Sequence, residues 1–158
     1  MADAVTLSAA LEREHEEIDA GLEQMQAGIE QGEVAIEPFA RAATALRRHI
    51  YLEEEFLFQP LRSGGLVAPV LVMVREHGEI WRALDTIEAQ LAEVTAPDDV
   101  NKAIAVLLGL LNEHNMKEER ILYPVIDQVV VGENADQMHE RLQNVALPTG
   151  WTCEALRA

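Results

Sequence analysis

The sequence predicts an all-α protein: an up-down-up-down four-helix bundle with a short C-terminal helix or tail. Four segments repeat apolar residues at intervals of three and four, which is the period of an amphipathic helix. Short stretches with proline or glycine separate the segments, as antiparallel neighbours in a bundle require. None of the segments shows the two-residue alternation of a β-hairpin. At 158 residues, one domain with a buried core is expected.

The first two helices are predicted from their apolar positions and their borders. The first runs from about Leu7 to Ile29. Its apolar stripe comprises Leu7, Leu11, Ile18, Leu22, Met25 and Ile29. The second runs from about Pro38, a residue suited to the first turn of a helix, to about Pro60. The sequence Ser-Gly-Gly at 63–65 then breaks the chain.

The third helix is predicted from about Pro69 to Glu93, and the fourth opens at Pro97 with two aspartates in its first turn. The third stripe comprises Val70, Met73, Ile80, Leu84, Ile87 and Leu91. The fourth comprises Ile104, Leu107, Leu111, Ile121 and Val125. Pro124 lies inside the fourth pattern and is expected to kink or end that helix.

The remaining chain is predicted to add little to the bundle. The sequence ENADQMHERLQN favours a short fifth helix, followed by a tail packed on the outside. We therefore predict a bundle over residues 1–131 and a C-terminal segment over 132–158 on the same domain. His139 and Cys153 lie in this segment, and both are expected to have structural or surface roles.

Composition excludes several classes of function. The net charge of −16 disfavours binding to nucleic acid or to anionic membranes. A single cysteine excludes an internal disulfide framework and a thiolate metal cluster. No apolar run approaches the ~18 residues of a membrane span. The first residues carry no basic stretch typical of a secretory signal, so a cytoplasmic protein is expected.

Six polar residues interrupt the apolar stripes and are predicted to point into the bundle. They are His15, His49, Glu53, His77, His114 and Glu118. Burying such groups without partners costs on the order of several kcal/mol each. A metal ion removes this cost because it supplies a counter-charge and accepts the lone pairs.

The interrupting residues occur in two copies of one unit. REHEEI at 13–18 matches REHGEI at 75–80, and HIYLEEEFLFQPL at 49–61 matches HNMKEERILYPVI at 114–126. Each copy offers one histidine and one His-x-x-x-Glu pair, whose members lie about 40° apart around a helix. Glu54 and Glu119 are rotated further, so we expect them not to be direct ligands. Tyr51 and Tyr123 are likewise expected to lie off the ligand faces.

Four imidazoles and two carboxylates are too many for one tetrahedral zinc and suit two adjacent octahedral metals. This ordered set resembles the hemerythrin-like (HHE cation-binding) family over about residues 10–126. The resemblance implies a non-haem di-iron centre with an oxo or hydroxo bridge. It implies that Glu53 and Glu118 bridge two Fe ions and that the four histidines are terminal ligands. Imidazole and carboxylate ligands would also accept manganese or zinc.

One departure bears on function. Oxygen-carrying hemerythrins have an additional histidine four residues from that of the third helix, where this chain has Met73 and Trp81. The pattern is more similar to the sensing and stress-response branches, including iron-centre repair proteins linked to nitric oxide. The implied function is therefore binding of, or reaction with, O2, NO or H2O2. The duplication suggests that the two metals receive similar ligands and that the reduced protein oxidises quickly in air.

Two alternatives stay open. The chain could be a sensor or interaction module whose fold depends on iron, without turnover, and the sequence leaves open whether it is an enzyme. A ferritin-like iron oxidase or store would need four carboxylates and two Glu-x-x-His motifs. Only Glu12-x-x-His15 fits that pattern, because positions 46, 74 and 111 are Leu, Val and Leu.

Overall fold

The computed structural model describes residues 5–157, and this part of the chain is helical without any strand. Its α-helices are α1 (Leu7–Glu30), α2 (Ile36–Leu52), α3 (Phe58–Ser63), α4 (Val67–Ala92), α5 (Pro97–Lys117), α6 (Tyr123–Val129) and α7 (Glu133–Asn144). A first π-turn (Glu53–Leu57) joins α2 to α3, and a second π-turn (Glu118–Leu122) joins α5 to α6. A 3-10 turn (Glu154–Leu156) lies near the C-terminus. The all-α prediction is confirmed.

The helix borders follow the local sequence signals. The Thr6 hydroxyl accepts a hydrogen bond from the Ala9 N–H and caps α1. Pro97 occupies the first turn of α5, with Asp98 and Asp99 beside it, as predicted from helix-start preferences. The predicted fifth helix is confirmed as α7. Between α3 and α4, Gly65 takes a φ of 100°, a value that favours glycine.

The four long helical stretches pack in a defined set of neighbours. Helix α1 packs along α2, α4 packs along α5, and α1 also contacts α5. Helix α7 contacts α1, and the 3-10 turn contacts α4. No helix within residues 5–157 is long and apolar enough to cross a membrane.

Two apolar clusters fill the interior. One contains Leu22, Met25, Phe39, Leu84 and Leu107, together with Trp81, whose predicted core position is confirmed. The other contains Leu11, Leu57, Phe58, Leu61, Val70 and Ile126. On α1 and α4 the interrupting histidine lies between the two sets along the helix. The apolar clusters thus flank a buried polar layer.

The fourth apolar stripe was predicted wrongly beyond Glu118. Ile121 is 47% exposed and Val125 is only half-buried, whereas Leu122 and Ile126 are buried. The cause is the second π-turn, which contains one more residue than an α-helical turn. The buried positions that follow it are therefore shifted by one residue along the sequence. Pro124 does not end the helix, because it falls in the first turn of α6, where a missing N–H is tolerated.

Candidate metal centre

The structure brings all six interrupting side chains into the polar layer. The positions come from six elements: α1 supplies His15, α2 His49, the first π-turn Glu53, α4 His77, α5 His114 and the second π-turn Glu118. None of these residues is more than 4% exposed. Two groups have potential ligand atoms within 4.8 Å of one another: Glu53, His77, His114 and Glu118, and His15, His49 and Glu118. Glu118 belongs to both groups.

The Nε2 atoms of the histidines face the two buried carboxylates. The Nε2 to carboxylate distances are His15 to Glu118 3.2 Å, His49 to Glu53 3.5 Å, His77 to Glu53 3.3 Å and His114 to Glu118 3.3 Å. Each carboxylate therefore touches histidines from two different helices. This geometry joins the two sequence copies across the centre.

The Nδ1 atom of each of these histidines points away from the centre and pairs with a further glutamate, which we call an outer glutamate. The pairs are His15 with Glu119 at 3.1 Å, His49 with Glu14 at 2.8 Å, His77 with Glu54 at 2.7 Å and His114 with Glu76 at 2.9 Å. A carboxylate at Nδ1 selects the tautomer with the proton on Nδ1. The Nε2 lone pairs then point inward, which is the arrangement of metal-ligating histidines.

These outer pairs explain why the His-centred hexapeptide occurs twice. Glu14 precedes His15 but holds His49, and Glu76 precedes His77 but holds His114. Each hexapeptide therefore supplies one inward imidazole and one carboxylate for a neighbouring helix. Sequence reasoning missed both glutamates, although the Glu-His pair shared by the two hexapeptides carried the signal.

The second glutamates of the His-x-x-x-Glu-Glu motifs connect the two copies. Glu54 from the first copy holds His77 of the second, and Glu119 from the second holds His15 of the first. Both carboxylates contact the outer nitrogen of an imidazole.

A family model for the hemerythrin HHE cation binding domain matches residues 6–126. The chain belongs to this family. All six interrupting residues and their four outer glutamates lie within the match, and α7 and the C-terminal tail lie beyond it. No curated protein and no solved structure matched the chain.

Tyr123 lies within the buried polar layer of this HHE domain, although the sequence predicted that it would lie off the ligand faces. Its hydroxyl oxygen is 2.9 Å from His15 Nε2 and 3.2 Å from His49 Nε2, and it donates to Glu53 at 3.0 Å. It lies 3.2 Å from Glu118, five residues earlier. The second π-turn brings residues five apart onto one face, whereas the prediction assumed regular α-helical angles.

The two sequence copies differ at this position by a single hydroxyl group. Phe58 is the counterpart of Tyr123, and its ring stacks on His77 with centroids 5.4 Å apart. The Tyr123 ring stacks on His15 with centroids 5.5 Å apart. The two halves therefore differ in the aromatic ring beside the ligands, while each still offers two imidazoles. One half has three clustered ligand groups and a phenol, and the other has four ligand groups and a phenyl ring.

Charges in the layer compensate one another strongly. Burial disfavours a charged imidazolium at His114, but attraction to Glu118 outweighs it and raises the pKa of His114 to about 10. The pKa values of His49 and His77 are raised in the same way by their glutamate partners, against burial. Burial would raise the pKa of Glu118, but His114 holds it well below its ordinary value.

The donor atoms of the HHE domain fit a cation. Glu53 Oε1, His77 Nε2 and Glu118 Oε2 are buried and have no hydrogen-bond partner within the described chain. All three belong to the cluster described above. An unpaired buried donor or acceptor is costly, and a metal ion would satisfy these lone pairs together. Imidazole nitrogen with carboxylate oxygen is a ligand set that iron, manganese and zinc accept.

Proposed function

We propose that this chain is a non-haem di-iron protein that binds or reacts with O2, NO or H2O2. The observation that carries the proposal is the convergence of four imidazole Nε2 atoms on two buried carboxylates. Among residues 5–157, Glu53 Oε1, His77 Nε2 and Glu118 Oε2 have no hydrogen-bond partner. A pair of iron ions would supply one-electron redox changes at adjacent metals and open positions for a small ligand. We further propose that the helices form an up-down-up-down four-helix bundle and that the protein is cytoplasmic.

The ligand groups suggest which residues would hold each metal. His77 and His114 would serve one ion, and His15 and His49 the other. Glu118 belongs to both groups and would be shared by the two ions. Glu53 lies 3.3 Å from His77 and 3.5 Å from His49, which supports its role as the second bridge.

The protein groups around the ligands have distinct tasks. The outer glutamates fix the tautomer and direction of each imidazole, which raises its basicity as a ligand. The flanking apolar clusters keep water from the layer, and this strengthens every charge interaction within it. The Tyr123 hydroxyl holds a proton between the two carboxylates and makes one side of the centre chemically different.

An apolar groove lies on the surface near this layer. A surface groove of about 260 Å³ lies between α4 and the second π-turn and is lined by Ala68, Pro69, Val72, Met73, Lys117, Ile121 and Leu122. Met73 lies one turn from His77 and is buried at the inner end of this groove.

A ferritin-like store is a weaker alternative. Its additional carboxylates would have to come from positions 46, 74 and 111, which are buried apolar side chains here. A sensor that uses the same iron centre without turnover is the stronger alternative, because the Glu154 N–H, beyond the HHE match, donates to the outer glutamate Glu54.

The proposal is tested by reconstituting the protein with Fe(II) without oxygen, measuring bound iron, and recording optical spectra after addition of O2, NO and H2O2 separately. We expect two iron ions per chain and a spectral change with at least one of the three ligands. Catalytic disappearance of peroxide would favour an enzyme, and binding without turnover would favour a sensor. Bound iron with no response to any of the three would contradict the proposed reactivity.

A further inference from the structure

The C-terminal tail forms a hydrogen bond to Glu54, one of the outer glutamates. The backbone N–H of Glu154 donates to Glu54 Oε1 at 2.9 Å, and the other oxygen of Glu54 accepts from His77 Nδ1 at 2.7 Å. The Glu54 side chain is 4% exposed, so this carboxylate is enclosed between the tail and the imidazole. Residues beyond the family match therefore form one continuous path to a candidate ligand.

The tail is fixed where it meets α4. The Trp151 indole N–H donates to Glu55 at 3.0 Å, and Cys153 is fully buried against the first apolar cluster. Gly78, the residue after His77, makes room for this contact: a Cβ atom there would lie 2.8 Å from the Ala155 Cβ. The two hexapeptides differ only at this position, where the first copy has the exposed Glu16. The glycine therefore marks the docking place of the tail.

A second contact reaches the other half of the centre. The Arg48 guanidinium donates to the backbone carbonyls of Arg141, Leu142 and Val145 at the end of α7. It also lies 3.5 Å from Glu14, whose carboxylate accepts from His49 Nδ1. The end of α7 thus fixes Arg48, which lies beside the outer glutamate Glu14.

The other two outer glutamates do not depend on the C-terminal segment. Glu76 pairs with Lys117 of α5, and the Glu119 side chain is 37% exposed. The C-terminal segment therefore acts on His77 and His49, which belong to different ligand groups. It reaches Glu54 directly through the Glu154 N–H and reaches Glu14 through Arg48.

We propose that residues 141–157 position His77 and His49, through Glu54 directly and through Arg48 and Glu14, so that docking of the tail and retention of metal are coupled. This inference rests on the proposed metal centre. An outer carboxylate that is held still keeps its imidazole aligned, and a carboxylate released from the tail lets the imidazole move. Linkage requires the reverse effect as well: bound metal must stabilise the docked tail.

Two substitutions at one position isolate the decisive hydrogen bond. Glu154→Pro removes the N–H and the side chain, whereas Glu154→Ala removes the side chain and keeps the N–H. Proline suits this place, because Cys153 is extended with a ψ of 152° and Glu154 begins the 3-10 turn. The measured quantity is the rate at which a chelator removes metal from the Fe- or Zn-loaded protein.

In the Glu154→Pro variant, we expect the metal ion held by His77, about half of the total, to leave roughly tenfold faster than in wild type. Tenfold is the lower end of the roughly 10- to 100-fold effect of losing a partner at the outer nitrogen of a ligand histidine. Glu154→Ala should release metal at the wild-type rate. In a Glu54→Ala background, adding Glu154→Pro should cause no further acceleration, since the path runs through Glu54. Equal rates for the two Glu154 variants, or undiminished acceleration in the Glu54→Ala background, would overturn the proposal.

A measurement on the unmodified protein covers the case in which a variant folds poorly. Backbone hydrogen exchange at residues 150–157 should slow when Zn or Fe(II) is added to the metal-free protein. Unchanged exchange with metal bound would overturn the coupling. A wild-type chain that binds no metal would instead contradict the proposed function.

Discussion

The Nε2 atoms of His15 and His49 lie 3.0 Å apart in the buried layer. Each ring already directs Nδ1 to a glutamate, so the two facing nitrogens would oppose each other lone pair to lone pair. A proton or a cation between them turns this repulsion into attraction. We propose that a metal ion does so in the functional protein.

Loss of a shared ligand should cost more metal than loss of a single imidazole. Glu118→Ala removes a group common to both clusters and should lower occupancy at both sites, whereas His49→Ala should mainly empty one. His139→Ala is the matched control, because His139 lies on α7 outside both clusters. Elemental analysis after iron reconstitution measures the difference. Equal loss in all three variants would show that the clusters do not bind the metal.

The outer glutamates should tune affinity without being ligands. Glu119→Ala releases His15 Nδ1 and is expected to weaken metal binding by about 10- to 100-fold. Glu113→Ala removes an exposed carboxylate from the same helical stretch and serves as the control. Competition against a chelator of known affinity gives both values. A Glu119 variant that binds as tightly as the control would refute the positioning role.

Metal binding should release protons. The pKa of His114 is raised to about 10, and the pKa values of His49 and His77 are also raised, so at neutral pH these imidazoles carry protons that a cation must displace. Affinity should therefore rise with pH between about 6 and 9. Calorimetry in buffers of different ionisation enthalpy counts the protons. A binding enthalpy that is independent of the buffer would contradict this account.

The same pKa shift sets a stability trend for metal-free protein. Since the pKa of His114 rises from 6.5 to about 10 on folding, its contribution is complete below pH 6.5 and disappears as the pH rises through 10. Urea unfolding of metal-free protein should thus show falling stability from pH 7 towards pH 10. Stability that is constant or increasing over this range would speak against the paired imidazolium.

Tyr123→Phe should destabilise the metal-free protein by about 1–3 kcal/mol, because Glu53 and Glu118 lose a buried donor. Tyr51→Phe makes the same chemical change in a half-buried residue outside the centre and should have a much smaller effect. Urea unfolding measures both. Identical values for the two variants would mean that the Tyr123 hydroxyl contributes nothing to the layer.

Much of the candidate site could be predicted because helical periodicity is a local property of the sequence. The inward positions of His15, His49 and His77 follow from residues three and four apart on regular helices. His114 and Glu118 were found for the same reason, since both precede the point where the second π-turn changes the register.

The missed features depend on contacts that are distant in sequence or on irregular backbone. Tyr123 reaches the centre only because a π-turn inserts one residue into the helix. The spacing of apolar residues did not predict this π-turn. The pairing of Glu14 with His49 joins two helices, so helical spacing could not reveal it. The docking of Glu154 on Glu54 spans a hundred residues.

The most direct test is an anaerobic titration of the metal-free protein with Fe(II), in which bound iron per chain is measured to saturation. The two ligand clusters predict saturation at two iron ions per chain, with tight binding at both. Saturation at one ion, or no binding above the level of a chain lacking Glu118, would contradict the di-iron centre.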